Sequence, residues 1–254
     1  MSNKNLRLSP PMPFKEVREW VQNAVLLAGA ATLLAYPMFF HQYQRLLPGL
    51  TSRQLTLQQF HLLAMGNSFM LFAAAFLSSL MGFFYAHRLN LPGFGKFTDL
   101  LAWAPLGLGA CLILAPPTYF FFDREMMRRV PELFPSPWPW ALATMAGSAI
   151  SQEVIGRFGL LTVGVYLLRW RNFQGHPWPA MIVISLFSAA SSFLFSSRFH
   201  LDHRMETYQL VVPLVSTFIM QWIFSEIYLR RGLLAAVGFH LGLAAKLVIY
   251  ALVL

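Results

Sequence analysis

Residues 147–161 read GSAISQEVIGRFGLL and place ionisable groups inside a long apolar segment. A charged side chain at the centre of a bilayer costs at least about 2.5–3.5 kcal/mol, so such a residue usually faces a partner or a water-filled cavity. Glu153 and Arg157 are four residues apart, which puts them on one face of a helix and predicts an ion pair. Small and polar residues form an adjacent stripe at helical spacing: Ser148, Ser151, Gln152, Gly156 and Gly159. The stripe predicts close helix approach and a polar pocket, whereas the simpler alternative is an ion pair that only locks helices together.

The composition indicates a membrane protein. Of the 254 residues, 57% are hydrophobic and 11% are charged, less than half of the roughly 25% charged residues typical of soluble domains. About 20 apolar residues cross the hydrocarbon layer, and the sequence offers seven such segments, at about 21–40, 61–86, 98–121, 138–168, 178–199, 207–229 and 232–253. The fourth is long for one crossing and is expected to tilt, or to break near Gly156 and Gly159. We therefore predict an all-α polytopic membrane protein, a single bundle of about seven (7–8) transmembrane helices.

The chain is expected to form one helical domain, because no linker is long enough to separate a second one. Residues 1–20 are predicted to be an N-terminal cytoplasmic or interfacial amphipathic segment, and residues 21–254 the transmembrane domain. With the N-terminus inside, the inner segments carry about ten Lys and Arg residues and the outer loops seven. The positive-inside rule then favours a cytoplasmic N-terminus. We expect an integral, multi-pass protein of the bacterial cytoplasmic (inner) membrane.

The charge and cysteine content exclude several classes of protein. The net charge of +9 is interpreted as loop charge near an anionic lipid bilayer. No soluble basic run with interleaved aromatic residues is present, so we do not expect a nucleic-acid partner. Cys111 is the single cysteine, which excludes an internal disulfide and a multi-cysteine metal site.

Two later apolar segments also carry histidines. The stretch SLFSAASSFLFSSRFH ends at His200, and His240 lies nine residues after Arg231. Nine residues of helix span about 14 Å, which places His240 near the middle of a bilayer. A single buried histidine is more often a structural residue. The order of Glu153, His200 and His240 on three separate helices is more informative than any one of them.

This order and its surroundings resemble the CPBP family of intramembrane proteases, which includes the CAAX-processing type II enzymes and the bacteriocin-immunity-type proteins. The family signature is Glu-Glu-x-x-x-Arg, then Phe-x-x-x-His, then His-x-x-x-Asn. Here the first motif is Gln152-Glu153-Val-Ile-Gly-Arg157, and His200 followed by leucine resembles the second. The stretch YLRRGLLAAVGFH, ending at His240, resembles the lead-in to the third. The resemblance covers about residues 140–245, within a family-like core at about 138–254.

Each motif departs from the family pattern. The glutamate that the family uses as its principal catalytic carboxylate is Gln152 here, and the asparagine expected after His240 is Ala244. No phenylalanine stands four residues before His200. Matched residue by residue, Glu153, Arg157, His200 and His240 are retained.

The resemblance implies a peptidase that cleaves a membrane-embedded peptide, a C-terminal segment or a lipidated protein by base-activated water, in a cavity between the fourth, fifth and seventh helices. This chemistry needs a base and donors for the developing oxyanion. Glu153 is the expected base, held by Arg157, and Gln152 is expected to orient water or donate to a carbonyl oxygen. His200 is expected to orient water or act as a second base, and His240 to donate to the oxyanion. No cofactor is implied.

Two other functions stay open at this point. Gln152 and Ala244 favour a catalytically inactive, CPBP-like membrane subunit or scaffold that binds a partner membrane protein. A transporter could use intramembrane Glu, Arg and His residues as an ion relay, but it would predict a broken-helix repeat that the sequence does not contain.

Two further motifs are weighed against simpler explanations. His200, His203 and Glu206 are spaced three apart and could ligate a metal on a helix, but a polar turn at the membrane interface is the favoured interpretation. Ser225-Glu226-x-x-x-Arg230 mimics the first motif. It comes too late in the chain for two histidine motifs to follow, so it is predicted to be a charge-paired turn.

Overall fold

The computed structural model describes residues 14–50, 55–129, 134, 137–201 and 207–253, and within them all side chains except those of residues 14–15, 46–50, 192–201 and 209–210. This part of the chain forms seven helical segments: α1 (Phe14–Leu50), α2 (Leu57–Leu89), α3 (Phe97–Arg129), α4 (138–170), α5 (Trp178–Leu201), α6 (Thr207–Arg231) and α7 (Leu233–Val253). By length and composition, α1, α2, α3, α6 and α7 contain stretches apolar enough to cross a membrane. The predicted all-α polytopic membrane protein is confirmed.

Helix α4 changes its hydrogen-bonding pattern within residues 147–161. It is α-helical over Trp138–Gln152, π-helical over Glu153–Leu161 and α-helical again over Thr162–Trp170. The sequence predicts that this span tilts, or breaks near Gly156 and Gly159. The structure shows no break there, but a continuous helix with wider turns. π-Helical turns are rare and occur frequently at functional sites.

The wide turns of α4 lie in the most buried part of the protein. Val154, Phe158 and Leu161 have no exposed surface, and the Phe158 ring packs edge-on against Phe83 of α2 at 4.8 Å between centroids. This packing fixes the rotation of α4 about its own axis, and so decides which neighbour each polar side chain faces.

Glycines also set the rotation of α4. A Cβ atom at Gly147 would come within 2.8 Å of the backbone of α1, and one at Gly159 within 2.6 Å of Ser78 on α2. The small-residue stripe predicted from the sequence is therefore divided between two faces. Its Gly159 packs against α2, as the neighbouring Gly147 packs against α1, while Ser148, Gln152 and Gly156 line a cavity on the other side.

Helix α7 is held against α3 by a close glycine contact. A Cβ atom at Gly238 or Gly242 of α7 would collide with the backbone of α3, and one at Gly107 of α3 would collide with the backbone of α7. Glycines four residues apart allow helix backbones to approach in this way. His240 is two residues from each α7 glycine, about 200° around the helix, so its side chain is directed away from α3 and towards α4.

Three of the loops between helices meet at one end of the bundle. Gly232, between α6 and α7, adopts φ +93°, which favours glycine, and packs on Gly95 between α2 and α3. The Leu233 amide donates to the Gly93 carbonyl over 2.9 Å. His176, between α4 and α5, lies 3.1 Å from Glu226 near the end of α6. Successive helices therefore run in opposite directions.

The second Glu-x-x-x-Arg sequence belongs to this end of the bundle. Glu226 and Arg230 form an ion pair of 2.8 Å, and the Arg230 side chain is 73% exposed. The predicted charge pairing is confirmed. This pair is exposed, whereas the Glu153–Arg157 pair is buried.

Candidate functional site

A buried carboxylate joins α4 to α7. Glu153 has no exposed surface, and its Oε1 lies 2.8 Å from Nδ1 of His240. Its Oε2 lies 3.4 Å from Nε of Arg157. The structure confirms the Glu153–Arg157 pair predicted from spacing and brings Glu153 together with His240, 87 residues later in the chain.

Arg157 is held by acceptors from two helices. One guanidinium nitrogen, Nη2, donates to the side-chain oxygen of Gln221 and lies 3.4 Å from the Gln221 carbonyl. The other, Nη1, lies 3.5 Å from the Gln152 carbonyl, and the guanidinium carbon lies 5.3 Å from the centre of the Phe224 ring. Because Arg157 is 1% exposed, these contacts and Glu153 replace the water that its charge would otherwise need.

The imidazole of His240 is held on its other side by an aromatic ring. The Phe224 ring stacks on it at 4.5 Å between centroids and 12° between planes. The side chain of His240 is 12% exposed and borders the cavity. When Glu153 is ionised and the imidazole is neutral, Nδ1 carries the proton and donates to Glu153, which leaves Nε2 with a free lone pair.

A cavity of about 680 Å³ lies between α4, α5, α6 and α7. This size is typical of ligand pockets, which range over about 300–1,000 Å³. The sequence predicts a cavity between the fourth, fifth and seventh helices, and α6 is the addition. Hydroxyl groups come from three of the four helices: Ser148, Ser151, Ser188, Ser191, Ser216 and Thr217.

Adjacent residues at the start of the π-helix face different surroundings. Gln152 is exposed and borders the cavity, whereas Glu153 is not among the described residues that line it. Successive residues of a helix point about 100° apart, so the amide faces the cavity and the carboxylate faces α7. Ala244 also borders the cavity. Two of the three departures from the family pattern, Gln152 and Ala244, thus lie on its wall.

The predicted role of His200 stays a prediction. Its backbone belongs to α5, but its side chain is outside the described residues. His200 follows the cavity-lining Ser191 by nine residues, about 14 Å along the helix axis. His203 and Glu206, the other members of the alternative metal site, also fall outside the described residues.

Sequence reasoning missed two polar residues of the site. Gln221 is buried beside Arg157, and Lys246 borders the cavity from α7. Each stands inside an otherwise apolar helical stretch, FIMQWIF and LAAKLV. A polar residue inside an apolar helical stretch is the same signal that singles out Glu153 and Arg157. It could have identified Gln221 and Lys246 as well.

The comparisons with known proteins agree with the motifs. Residues 134–245 match the family model described as type II CAAX prenyl endopeptidase Rce1-like. No curated protein and no solved structure matches the chain. Rce1-like CAAX proteases are metal-independent, and the described residues contain no group of three or more His, Cys, Asp or Glu side chains that could hold a metal ion.

Proposed function

Because residues 134–245 form a domain of the Rce1-like type II CAAX prenyl endopeptidase family, we propose that the protein is an active intramembrane peptidase. Its substrate is a membrane-associated peptide that enters the cavity between α4, α5, α6 and α7. The observation that carries the proposal is the 2.8 Å contact between Glu153 and His240 at the cavity wall.

His240 is the proposed base of this reaction. Its Nε2 takes a proton from a water molecule, and the resulting hydroxide attacks the peptide carbonyl. The protonated His240 then gives this proton to the amide nitrogen as the C–N bond breaks, which releases the amine and the carboxylic acid products and restores the neutral base. Glu153 holds the imidazole through Nδ1 and stabilises its charged form, as the carboxylate of a Ser-His-Asp triad does. This assignment differs from the roles expected from sequence, in which Glu153 is the base and His240 a donor. Glu153 is completely buried, which favours His240 as the base and Glu153 as the group that holds it.

Gln152 is the proposed donor to the oxyanion. Its amide is exposed on the cavity side, one residue from the carboxylate that holds His240. Ala244 offers no hydrogen bond where the family has an asparagine. The loss of one oxyanion donor costs roughly 2.7–4 kcal/mol in a well-studied hydrolase, so we expect a slow enzyme.

A second candidate function rests on the same cavity wall. Gln152 cannot accept the proton that a glutamate would, and Ala244 cannot donate. A non-catalytic membrane subunit that uses the cavity to bind a partner membrane protein is consistent with both residues. The two functions differ in whether Glu153 and His240 are needed for peptide cleavage.

The test is a cleavage assay with the full-length protein in lipid vesicles and a fluorogenic, prenylated CAAX peptide. We expect His240→Ala to lower kcat by about 100-fold or more, as loss of a general base does. Glu153→Gln should lower kcat with little change in KM. Glu153→Asp keeps a carboxylate and should therefore have a kcat between those of Glu153→Gln and wild type. The matched control is Glu226→Gln, which alters the exposed Glu-x-x-x-Arg pair and should cleave like wild type.

Other outcomes separate the two candidates. Cleavage by wild type that survives both Glu153→Gln and His240→Ala would contradict the proposed roles. A wild type that does not cleave, beside a Gln152→Glu variant that does, would favour the non-catalytic subunit. Thermal unfolding of each variant in the same vesicles distinguishes a lost site from a lost fold.

A further inference from the structure

Helices α2 and α4 pack in register as they approach the end of the bundle where the three loops meet. Both helices end there, so they run in the same direction. Gly159 of α4 packs on Ser78 of α2, and the Tyr166 ring lies 4.4 Å from the Tyr85 ring. Seven residues separate the two contacts on each helix. Residues that follow the two tyrosines by equal steps therefore lie at the same level.

This register brings two arginines together. Arg88 on α2 and Arg169 on α4 each follow their tyrosine by three residues, so each lies one turn further along nearly the same face. Two like charges on neighbouring helices repel each other. Neither arginine forms an ion pair with any Asp or Glu in the described part of the chain. The two cations are thus complementary to an anion from outside the protein.

Both guanidinium groups are held in place with donors to spare. The guanidinium carbon of Arg88 lies 4.1 Å from the centre of the Phe84 ring, a contact that uses the charge and not the N–H groups. Nη1 of Arg169 donates to the Phe173 carbonyl over 3.2 Å. An arginine has five N–H donors in a fixed fork, and phosphate oxygens accept such donors in pairs.

The carboxylates at this end of the bundle are engaged elsewhere or belong to another helix. Glu226 is paired with Arg230, and Asp99 accepts from the backbone at the start of α3. Glu16 and Glu19 belong to the first turns of α1. The repulsion between the arginines of α2 and α4 is therefore not relieved by a described side chain.

Aromatic side chains show which anion is at this level. Trp170 and Trp178 flank the α4–α5 loop and are 59% and 49% exposed, and the Trp20 ring of α1 packs on Phe84. Tryptophan and tyrosine are enriched where a membrane protein passes the lipid headgroups. Arg88 and Arg169 thus lie at the depth of lipid phosphates, and clustered cations at this depth favour anionic lipids.

We propose that Arg88 and Arg169 bind the phosphate of one anionic phospholipid, whose acyl chains remain in the bilayer. The bound lipid neutralises both cations and ties the end of α4 to the end of α2. It therefore stabilises the helix that carries Gln152 and Glu153. The inference does not rest on the proposed function, because it involves neither the cavity nor cleavage.

The experiment compares two lipids with the same acyl chains, phosphatidylglycerol and zwitterionic phosphatidylcholine. Each is titrated against the full-length protein in non-ionic detergent micelles, and bound lipid is measured by native mass spectrometry. Each arginine near an anionic lipid is expected to contribute about 5-fold in affinity. Wild type should therefore bind phosphatidylglycerol on the order of 20-fold more tightly than phosphatidylcholine.

Substitutions locate the site. Arg88→Gln and Arg169→Gln should each reduce the preference for phosphatidylglycerol about 5-fold, and the double variant should have none. Arg88→Lys keeps the charge and should retain most of it. The matched control is Arg230→Gln, which removes an exposed arginine at the same end that is already paired with Glu226. It should bind both lipids like wild type.

The outcomes decide the inference. Unchanged binding of phosphatidylcholine shows that a variant is folded. Equal affinity of wild type for the two lipids would overturn the inference, as would a full preference that survives in the double variant or an equal loss of both affinities. Inorganic phosphate at constant ionic strength should not displace phosphatidylglycerol, and displacement would show a site for free phosphate instead.

Thermal unfolding is a second readout. Because a ligand that binds the folded state stabilises it, phosphatidylglycerol should raise the unfolding midpoint of wild type more than phosphatidylcholine does. The two lipids should have equal effects on the double variant. A midpoint of wild type that responds equally to both lipids would contradict the stabilising role.

Discussion

At the scale of single residues, the balance of charge around Glu153 depends on a side chain from another helix. Gln221 of α6 accepts from the buried guanidinium of Arg157 through both its side chain and its backbone. Removal of the side-chain amide leaves part of a buried charge without a partner. The hydrogen bond of a charged group is worth about 1.5–3 kcal/mol, so Gln221 is a determinant of stability as well as of the site.

We expect Gln221→Leu to lower the free energy of unfolding by about 1.5–3 kcal/mol, measured by denaturant titration in detergent micelles. The control is Gln58→Leu, which alters an exposed glutamine of α2 and should have little effect. A Gln221→Leu variant as stable as wild type would show that Arg157 finds another acceptor. In that case Gln221 does not hold the site together.

The contacts of Glu153 show what can be predicted from sequence at this scale. Its pairing with Arg157 follows from a spacing of four, which is a property of one helix. Its contact with His240 joins residues 87 positions apart, and no local spacing encodes it. The 100° between Gln152 and Glu153 predicts that they face different ways. Which of them faces the cavity depends on the packing of Gly147 and Gly159.

At the scale of helices, the approach of α7 to α3 sets the direction of His240. Gly238 and Gly242 allow this approach because their missing side chains leave room for the backbone of α3. Any larger residue at these positions must push the two helices apart. The displacement would carry His240 towards α4 and alter its contact with Glu153.

We expect Gly242→Val to destabilise the protein by about 1–3 kcal/mol, the usual effect of overpacking a well-packed contact. It should also lower peptide cleavage. The comparison variant is Gly109→Val on α3, where an added Cβ atom meets no atom within 4 Å. Thermal unfolding in micelles measures both variants, and equal effects would contradict the assigned role of the α3–α7 contact.

The number and positions of the helices could be predicted from the sequence more fully than the irregular turns within them. The seven predicted spans correspond to the seven helical segments, because the thickness of the hydrocarbon layer sets their lengths. Gly156 and Gly159 indicated where α4 becomes irregular. They did not indicate a π-helix, since the choice between a break and a wider turn depends on Phe158 and its tertiary neighbours.

At the scale of the whole molecule, the loop contacts define two ends of the bundle. Lys96 and His176 belong to two of the three loops that meet at one end, and Arg231 ends α6 at the third. Lys246 follows Leu233 by 13 residues, about 20 Å of helix away from that end. The part of the cavity wall that Lys246 forms is therefore closer to the other end of the bundle. The side of the membrane on which this end lies decides which compartment supplies the substrate.

Single-cysteine labelling tests this arrangement, since Cys111 is the one native cysteine and Cys111→Ser gives a blank background. In sealed vesicles, a membrane-impermeant thiol reagent should reach Lys96→Cys, His176→Cys and Arg231→Cys from one side, and Leu55→Cys and Trp138→Cys from the other. The count of Lys and Arg residues predicts that the first group is cytoplasmic. Labelling of Lys96→Cys and His176→Cys from opposite sides would contradict the bundle itself. Labelling of the whole first group from outside would reverse only the orientation, and the cavity would then lie nearer the cytoplasm.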